Sequence, residues 1–446
     1  NSTMNITVEK QPNCLARIQV EVPAEAVSGE RRQIVQAFSK QAKIPGFRPG
    51  KIPVKVIEKR FATQITEELE SRLVSQAYDE AIKKEELRVL DARKPEKTDY
   101  LPDGGFSFTS SLILAPEFEL PDYKSLTIEI PDREITGKDI DREIEQVRAR
   151  FAEFNDITDR DLAAGDFAII DYTGTLDGTP LEEALGHNTG YLANGEGFWL
   201  KMDDESFLPG FTKALEGAKS GSEQTFEIPV PDDFPSEDLR GKSIAYTVTV
   251  TAIKEQVLPE FTDELAAQII PGKTVAELRD IVKDQLEVQL NRQIHEMKVN
   301  QLIDKLSQSV DFELPEDILT AETQGQADEM VERGIRSGMT EEQIEAQQRE
   351  LFAAAGQRAR LNVKTDFILQ EVAKREDVKI TEAELTQRVA AMAQQSKKPF
   401  KTVVKDLQKS GRLRGLQHSM LLSKTIDFLL EGAKVEFIPA DNKDDE

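Results

Sequence analysis

Aromatic side chains are concentrated between residues 161 and 255, and they are the first residues whose type suggests chemistry. An apolar pocket lined by rings can hold proline, and isomerising an X-Pro bond needs no nucleophile. The barrier of ~20 kcal/mol comes from amide resonance, and a dry pocket that binds the twisted amide better than the planar one lowers it. The alternative, which composition by itself favours, is that the rings form the core of a small sheet. The candidate side chains are Tyr172, Phe198, Trp199, Phe207, Leu208, Phe211, Phe234 and Tyr246.

A second candidate is the loop of residues 43–53, which we call the basic loop. Its prolines cannot continue a helix, its glycines permit unusual backbone angles, and Phe47 and Arg48 lie in its middle. Residues 31–60 hold nine Lys or Arg against one acid, Glu58, in a chain of net charge −25. Such a local excess of positive charge favours an anionic partner, either RNA phosphate or an acidic protein patch. The alternatives are an ordinary helix–helix turn and a solvated face.

The sequence gives little support to nucleotide binding, metal binding or nucleophilic catalysis. Gly241-Lys242-Ser243 and Gly272-Lys273-Thr274 end like phosphate loops, but the required earlier glycine is replaced by Ser236 and Ala267. The three histidines are far apart in sequence, and with one cysteine there is no thiolate cluster, so no metal site is expected. No local signature of a Ser or Cys nucleophile is visible, although a dispersed triad stays open. The histidines are His187, His295 and His418.

Length and composition bound the class of protein. A chain of 446 residues predicts two to four domains, and its acidity argues against a general nucleic-acid binder. The single cysteine, Cys14, is typical of a reducing compartment and is expected on a strand as a packed thiol. No apolar run approaches the ~18 residues of a membrane span, and no signal peptide is visible. We therefore expect a cytoplasmic protein.

The periodicity of apolar residues predicts the elements that must position these residues. We expect a strand over residues 4–22, helices over 24–42 and 54–86, and strands over 88–92 and 106–114. A connector follows, with a strand at 126–130 and a helix over 138–154. Strands at 167–172 and 244–253 and a hairpin turn at 176–179 predict a small β domain. Beyond residue 258 the pattern is helical, with capping boxes that begin at Thr274, Thr340 and Thr381, and an acidic tail at 441–446 predicted to be disordered.

These elements predict a multidomain α+β protein. The expected parts are an N-terminal α+β domain with a long helix pair (residues 4–115), a connector (116–160), a small β domain (161–255) and an all-helical domain with arms (256–440).

Three stretches resemble one known family in their order along the chain. The run from Gly46 through Phe47, Arg48, Pro49, Gly50, Lys51 and Ile52 to Pro53 resembles the ribosome-binding signature of bacterial trigger factors. The run from Asp171 to Gly178 and the Leu208-Pro209-Gly210-Phe211 motif look like an FKBP-type prolyl isomerase. The segment from Asn291 to Pro315 is similar to the family's long C-terminal helix and the Leu-Pro after it.

The resemblance implies a ribosome-associated chaperone that works without ATP. Its N-terminal domain would dock on the large subunit near the exit tunnel, on ribosomal protein and rRNA, and its helices and connector would hold unfolded nascent chains for folding or export. No cofactor and no membrane contact is implied, and a weak homodimer off the ribosome and a link to cell division are further expectations. The implied ribosome-binding residues are Gly46, Phe47, Arg48, Pro49, Gly50 and Lys51, with Phe47 and Arg48 as principal contacts. Some relatives have Lys where this chain has Pro49, so Arg48 and Lys51 would carry more of the affinity.

The resemblance also implies an FKBP-type peptidyl-prolyl cis-trans isomerase in the β domain. The implied catalytic pocket consists of Tyr172, Phe198, Leu208, Phe211, Phe234 and Tyr246. Leu181 stands where FKBPs usually carry an aromatic, and the segment 182–197 is longer than in a compact member. Phe211 stands where many FKBPs have Trp.

Two other functions stay open. The first is a pure holdase whose β domain is only a weakly catalytic binding module, which Leu181 and the long segment after it favour. The second is a free-standing isomerase with helical dimerisation arms, which would leave the basic loop unexplained.

Overall fold

A computed structural model describes residues 3–186 and 189–440 of the chain. His187 and the acidic tail 441–446 lie outside the described residues. The chain packs as two compact units. The first combines the residues up to Glu129 with Lys298–Met339 and Ala346–Glu436, and the second is built mainly from Ile130–Met297.

The N-terminal part of the first unit has an antiparallel sheet with its strands in the order β1-β2-β5-β3, and β4 also pairs with β5. Along β2 the side chains of Ala16, Ile18, Val20 and Val22 are buried and their neighbours are not, which confirms the predicted alternation. The bounds are β1 Asn5–Gln11, β2 Leu15–Val22, β3 Val89–Ala92, β4 Glu96–Tyr100 and β5 Phe106–Leu114.

The single strand predicted over residues 4–22 is wrong, because a hairpin turn divides it. Pro12 cannot donate to a strand ladder, and Asn13 and Cys14 have left-handed φ values of 63° and 58°. Cys14 therefore lies in the turn and not on a strand. Its Sγ donates to the carbonyl oxygen of Glu313 at 3.3 Å, and burial, followed by the charges of Glu313 and Glu117, raises the pKa of the thiol to about 11.

Three helices cover one face of this sheet and carry the basic loop between the first two. The helix predicted over 54–86 breaks at Phe61, whose φ and ψ are −113° and 26° and whose ring packs 5.5 Å from that of Phe38. The third helix buries a stripe of fully enclosed side chains at Ile65, Leu69, Leu73, Ala77 and Ala81. The bounds are α1 Ala24–Gln41, α2 Val54–Arg60 and α3 Ala62–Glu85.

The connector contains a strand, a helix and a second strand: β6 Thr127–Asp132, α4 Gly137–Arg150 and β7 Glu153–Ile157. Thr136 and Asp139 form a capping box at the start of α4. The helix predicted over 138–154 is too long, because Phe154 lies on β7 and pairs with Gln256 of the sheet described next. That sheet therefore includes residues that precede position 161.

The second unit contains an antiparallel sheet in the order β10-β8-β12-β11, with β7 on β12 and β9 on β8. The predicted hairpin turn is confirmed, with left-handed φ values of 49° at Asp177 and 82° at Gly178. Short helices and 3₁₀ turns close one side of the sheet. The bounds are β8 Phe167–Leu176, β9 Thr179–Pro180, α5 Leu181–Leu185, β10 Asn194–Lys201, α6 Phe211–Leu215, β11 Glu223–Pro229 and β12 Ser243–Val257, with 3₁₀ turns Gly190–Leu192 and Glu237–Leu239.

Over the remaining described residues, up to 440, the chain is helical, as predicted, except for one strand that pairs with β6. Thr274, Thr340 and Thr381 each accept a hydrogen bond from the main-chain N–H three residues on, at 3.3, 3.3 and 3.2 Å, so all three predicted helix starts are confirmed. No helix of the described residues is both long and apolar enough to cross a membrane. The bounds are α7 Asp263–Ile269, α8 Val275–Gln308, α9 Glu316–Arg336, α10 Glu341–Ala346, α11 Gln348–Arg375, α12 Glu382–Ser396, α13 Phe400–Ser410, α14 Arg412–Gly432 and β13 Lys434–Pro439.

Candidate functional site

The basic loop is built from two consecutive Pro-Gly turns. Phe47 N–H donates to the carbonyl of Ile44 at 3.2 Å, and Lys51 N–H donates to that of Arg48 at 3.0 Å. The third residue of each turn is a glycine with positive φ, 89° at Gly46 and 78° at Gly50. Proline second and a positive-φ residue third define a type II turn. Because proline fixes φ at the second position of both turns, the loop has few conformations to lose on binding.

Two isoleucines attach the basic loop to the N-terminal core. Ile52 is buried and Ile44 packs against the same core, whereas every residue from 45 to 51 is exposed. The ring of Phe47 is 41% exposed. The core does not need this ring to be exposed on a stiff loop, and an exposed apolar ring is typical of a contact site for a partner.

The Lys and Arg side chains of the basic loop and of the neighbouring helix residues are not neutralised by carboxylates of the described residues. No carboxylate oxygen of residues 3–186 and 189–440 forms an ion pair with any of them. Arginine is suited to bidentate contacts with phosphate or carboxylate, and lysine to point-charge contacts. The surface can therefore bind an anionic partner without first breaking an ion pair. Its cations are Lys40, Lys43, Arg48, Lys51, Lys55, Lys59 and Arg60.

Four of the six predicted pocket residues meet in the second unit. Tyr172 comes from β8, Phe198 from β10 and Tyr246 from β12, while Phe211 is the first residue of α6. The ring of Tyr172 lies 5.7 Å from that of Phe198, 6.4 Å from Phe211 and 6.2 Å from Tyr246, each edge to face. Phe211 and Tyr246 are completely buried. The arrangement is an apolar aromatic cluster with Phe211 on its floor.

The other two predicted residues lie at the margin of the cluster. Leu208 is buried in the same core, in the turn before α6. Phe234 packs against that core from the loop after β11, but none of the ring pairs among the described residues joins it to the other rings. Leu181 is completely buried at the start of α5, where it fills core volume.

The central ring of the cluster, Phe207, is among the aromatic candidates of the sequence but not among the six pocket residues that the family resemblance implies. Its ring lies 4.1 Å from that of Phe211, 5.2 Å from Tyr172 and 5.6 Å from Tyr246. Tyr191, which the sequence prediction did not include at all, packs on Phe207 at 5.3 Å. The sequence signals for Phe207 were its aromatic side chain and its position next to the Leu208-Pro209-Gly210-Phe211 motif.

The two tyrosine hydroxyls of the cluster are used for structure. The Tyr246 hydroxyl donates to the carbonyl of Leu192 at 2.8 Å, and the Tyr172 hydroxyl donates to that of Tyr191. Burial, followed by the neighbouring Tyr191, raises the pKa of Tyr172 to about 12. Burial also raises the pKa of Tyr246. Both groups therefore stay protonated near neutral pH, and the arrangement is suited to binding an apolar ring and not to acid–base chemistry.

Metal-binding geometry is not found in the described ranges. No group of three or more His, Cys, Asp or Glu side chains within them is arranged to hold a metal ion.

Known families match three successive segments of the chain. The models for the bacterial trigger factor protein and for its C-terminus match residues 4–147 and 274–431. The model for FKBP-type peptidyl-prolyl cis-trans isomerases matches residues 158–251.

Curated relatives match over nearly the full length. The trigger factor of Akkermansia muciniphila is 38% identical over 434 residues, which cover 97% of this chain and 99% of the relative. That of Opitutus terrae is 32% identical over 436 residues, which cover 97% and 98%. A solved structure of the trigger factor chaperone aligns with 96% of this chain and 99% of its own, at 19% identity and a TM-score of 0.45. This chain belongs to the trigger factor family, with an FKBP-type domain between the family's N-terminal and C-terminal segments.

Proposed function

We propose that this chaperone docks on the large ribosomal subunit beside the exit tunnel, in the cytoplasm, and binds nascent chains without ATP. The observation that carries the proposal is the basic loop, a stiff double turn that presents Phe47 and Arg48 among cations without ion pairs. In this proposal Arg48 and Lys51 contact rRNA phosphate or acidic groups of a ribosomal protein, and Phe47 enters an apolar cleft. Gly46, Pro49 and Gly50 hold the two side chains in place.

Cosedimentation with ribosomes tests this docking surface. Replacing Phe47, Arg48 and Pro49 together by alanine removes the ring, the guanidinium and one rigid φ angle, so we expect the protein to leave the ribosomal pellet. A matched control replaces Lys83 and Lys84, exposed at the end of α3, by alanine. The 24-residue helix is about 36 Å long, so these lysines lie far from the loop. Equal binding by the triple variant and the wild type would refute the role of the loop.

We further propose that the aromatic cluster isomerises X-Pro bonds in these clients, with Tyr172, Phe198, Leu208, Phe211, Phe234 and Tyr246 as its pocket residues. A prolyl ring over Phe211 would place the amide among edges of aromatic rings and away from water. Such surroundings stabilise the twisted amide, which has lost its resonance dipole, more than the planar one, and the barrier falls. The test is an isomerisation assay on a Phe-Pro peptide, and a rate no faster than in buffer with the domain folded would reject this activity.

Apolar side chains exposed along the long helices support client binding. They lie on α8, α9, α11, α13 and α14, and are Val288, Ile335, Phe352, Phe400 and Phe428. Exposed apolar groups of this kind can cover similar groups on an unfolded chain. We expect the protein to suppress aggregation of a chemically unfolded client in the absence of ATP. Weak self-association off the ribosome and roles in export and cell division stay predictions of the family resemblance.

A pure holdase is the second candidate function, favoured by one observation. Phe207 fills the centre of the aromatic cluster, so the pocket is occupied by the chain's own ring. In a pure holdase the cluster would only bind apolar segments. Isomerase activity that Phe211→Ala abolishes without unfolding the domain would reject this alternative.

A further inference from the structure

Phe207 lies at the centre of the aromatic cluster. Its ring lies over the buried floor residue Phe211 at 4.1 Å, with the planes inclined by only 33°. The edges of Tyr172, Phe198 and Tyr246 surround it at 5.2, 6.1 and 5.6 Å. These rings are four of the proposed pocket residues, and Phe207 is the ring that contacts all of them.

The backbone at Phe207 is in a conformation that this residue type avoids. Its φ is +63°, in the left-handed region that favours glycine, and side chains with a Cβ are disfavoured there. The turn is held by Asp203, which accepts from the hydroxyl of Ser206 at 2.5 Å and, through its carbonyl, from that of Thr212 at 2.8 Å. The aromatic contacts offset the backbone strain only while the ring is inside. A backbone change that carried the ring out of the cluster would lose the contacts and relieve the strain at the same time, whereas rotation of the side chain alone would only lose the contacts.

The ring is also open to solvent on one side. Phe207 is half-buried, whereas Phe211 beneath it is completely buried, and the 54% exposed Tyr191 lies on its outer side. The side of the cluster at Tyr191 is therefore its most exposed side.

We infer that Phe207 is an intramolecular competitor of the substrate, which occupies the prolyl site until a client peptide displaces it. The inference rests on the proposed isomerase function and adds a residue that sets the apparent affinity of the site for its clients. When the binding-competent state is a minor one, the apparent Kd rises in inverse proportion to its population. Any prolyl segment must therefore displace the phenylalanine ring, which raises the apparent Kd of every peptide by the same factor.

Removing the ring tests the inference directly. With a Phe-Pro peptide, we expect Phe207→Ala and Phe207→Gly to lower Kd and raise kcat/KM, by roughly tenfold if the pocket is open in about one molecule in ten. The ratio of the apparent Kd values of a Phe-Pro and a Gly-Pro peptide should stay unchanged, because the ring raises both by the same factor. Glycine adopts positive φ without strain, so this variant keeps the turn folded if alanine does not. The matched control is Phe154→Ala, because Phe154 packs on Phe167 and Trp199 and has no ring contact with the pocket.

A fluorescence measurement follows the ring itself. Trp199 is the only tryptophan of the chain, so Trp199→Phe combined with Phe207→Trp leaves a single reporter in the pocket. Addition of the Phe-Pro peptide should shift its emission to the red as the indole moves into water. A bound peptide with unchanged emission would overturn the inference.

The outcomes separate the inference from the proposed function. If the wild type is active and both ring-deleted variants isomerise the peptide more slowly or at the same rate, Phe207 is a fixed wall of the pocket. That result would overturn the inference and leave the proposed isomerase function intact. If neither the wild type nor the folded variants bind the peptide or isomerise it, the proposed isomerase fails and the inference fails with it.

Discussion

At the residue scale, two glycines allow tyrosine rings to lie directly on strand backbone. A Cβ built on Gly174 would lie 2.8 Å from Cε1 of Tyr246, and one on Gly195 would lie 2.7 Å from Cε1 of Tyr172. Real Cβ atoms do not approach other atoms so closely, and both rings are buried. The aromatic cluster therefore depends on the absence of two side chains as much as on the rings.

We expect Gly174→Ala to destabilise the second unit by about 1–3 kcal/mol, as overpacked cores do. The added methyl group must displace Tyr246, whose hydroxyl then loses its bond to Leu192. The measurement is the urea midpoint of the full chain. The control is Gly29→Ala, in the interior of α1 with nothing within 4 Å of its Cβ. That change should be neutral or stabilising by up to about 1 kcal/mol, because alanine is the better helix former. Destabilisation of the same size in both variants would contradict the packing argument.

A buried carboxylate links the stability of the second unit to pH. Asp166 is 5% exposed and accepts from Arg160 at 2.6 and 2.8 Å and from the N–H of Ala163 at 2.9 Å. The bonds from Arg160 are the main reason that its pKa lies below the usual value. Since the folded pKa is lowered, the stabilisation is complete above the unfolded pKa of about 3.9 and is lost as pH falls through the folded value.

We expect Asp166→Asn to be less stable than the wild type at pH 7 and to lose less of its stability between pH 5 and pH 3. Asparagine keeps the size of the side chain but cannot be ionised, so it lacks the charge that pairs with Arg160. Urea midpoints measured across this range check the prediction, with Asp177→Asn in the exposed hairpin turn as the control. Parallel pH profiles for Asp166→Asn and the wild type would show that the ion pair does not contribute.

At the element scale, the basic loop shows how a short motif acquires a shape. Pro-Gly occurs twice, four residues apart, and each copy forms its own type II turn. The turns need no support from the core except at Ile44 and Ile52. The local sequence therefore determines the conformation of the loop, and the helices on either side only set its direction.

We expect Arg48→Ala to weaken ribosome binding. The slope of log K against log salt concentration should become shallower by about one, as it does when one phosphate contact is lost. Phe47→Ala should weaken binding with the salt slope unchanged, because the ring carries no charge. Both are measured by titrating ribosomes at several salt concentrations. If the two variants change the salt slope equally, the assignment of the charged contact to Arg48 is wrong.

At the scale of the whole molecule, the first unit joins the N-terminal sheet to the C-terminal helices through polar and apolar contacts. Arg93 Nε donates to Asp317 at 2.8 Å, and these side chains are 40% and 38% exposed. Beside them Phe118 stacks on Phe312 at 4.1 Å, within a cluster that buries Leu314. Exposed ion pairs contribute little, so we assign most of the stability of this junction to the apolar cluster.

We expect Leu314→Ala to destabilise the first unit by roughly 2–5 kcal/mol, because it leaves a cavity in a buried cluster. A double-mutant cycle of Arg93→Ala and Asp317→Ala should give a coupling free energy of at most about 1 kcal/mol. Denaturant unfolding of the full chain provides both values. A coupling free energy larger than the effect of Leu314→Ala would reverse the assignment.

The errors of the sequence prediction have a common physical origin. Periodicity located α1, β5, β8 and β12 well, because in each the burial of alternate or every third to fourth residue repeats over a long run. It missed the hairpin turn at Cys14, the break at Phe61 and the strands β4, β7, β10, β11 and β13. These strands are mostly exposed, and they form because a neighbouring strand offers free hydrogen-bonding groups.

The sequence by itself determined the family, the α+β, β and helical parts and the capped helix starts, and it located the basic loop and most rings of the aromatic cluster. Motifs, propensities and charges are local properties, and they can be read from neighbouring residues. Only the tertiary structure decided that Tyr172, Phe198, Phe211 and Tyr246 meet and that Phe234 lies at the margin. It also put Phe207, at positive φ, in the middle of the aromatic cluster. That position depends on the combined packing of three strands and a turn, which outweighs the backbone preference of one residue.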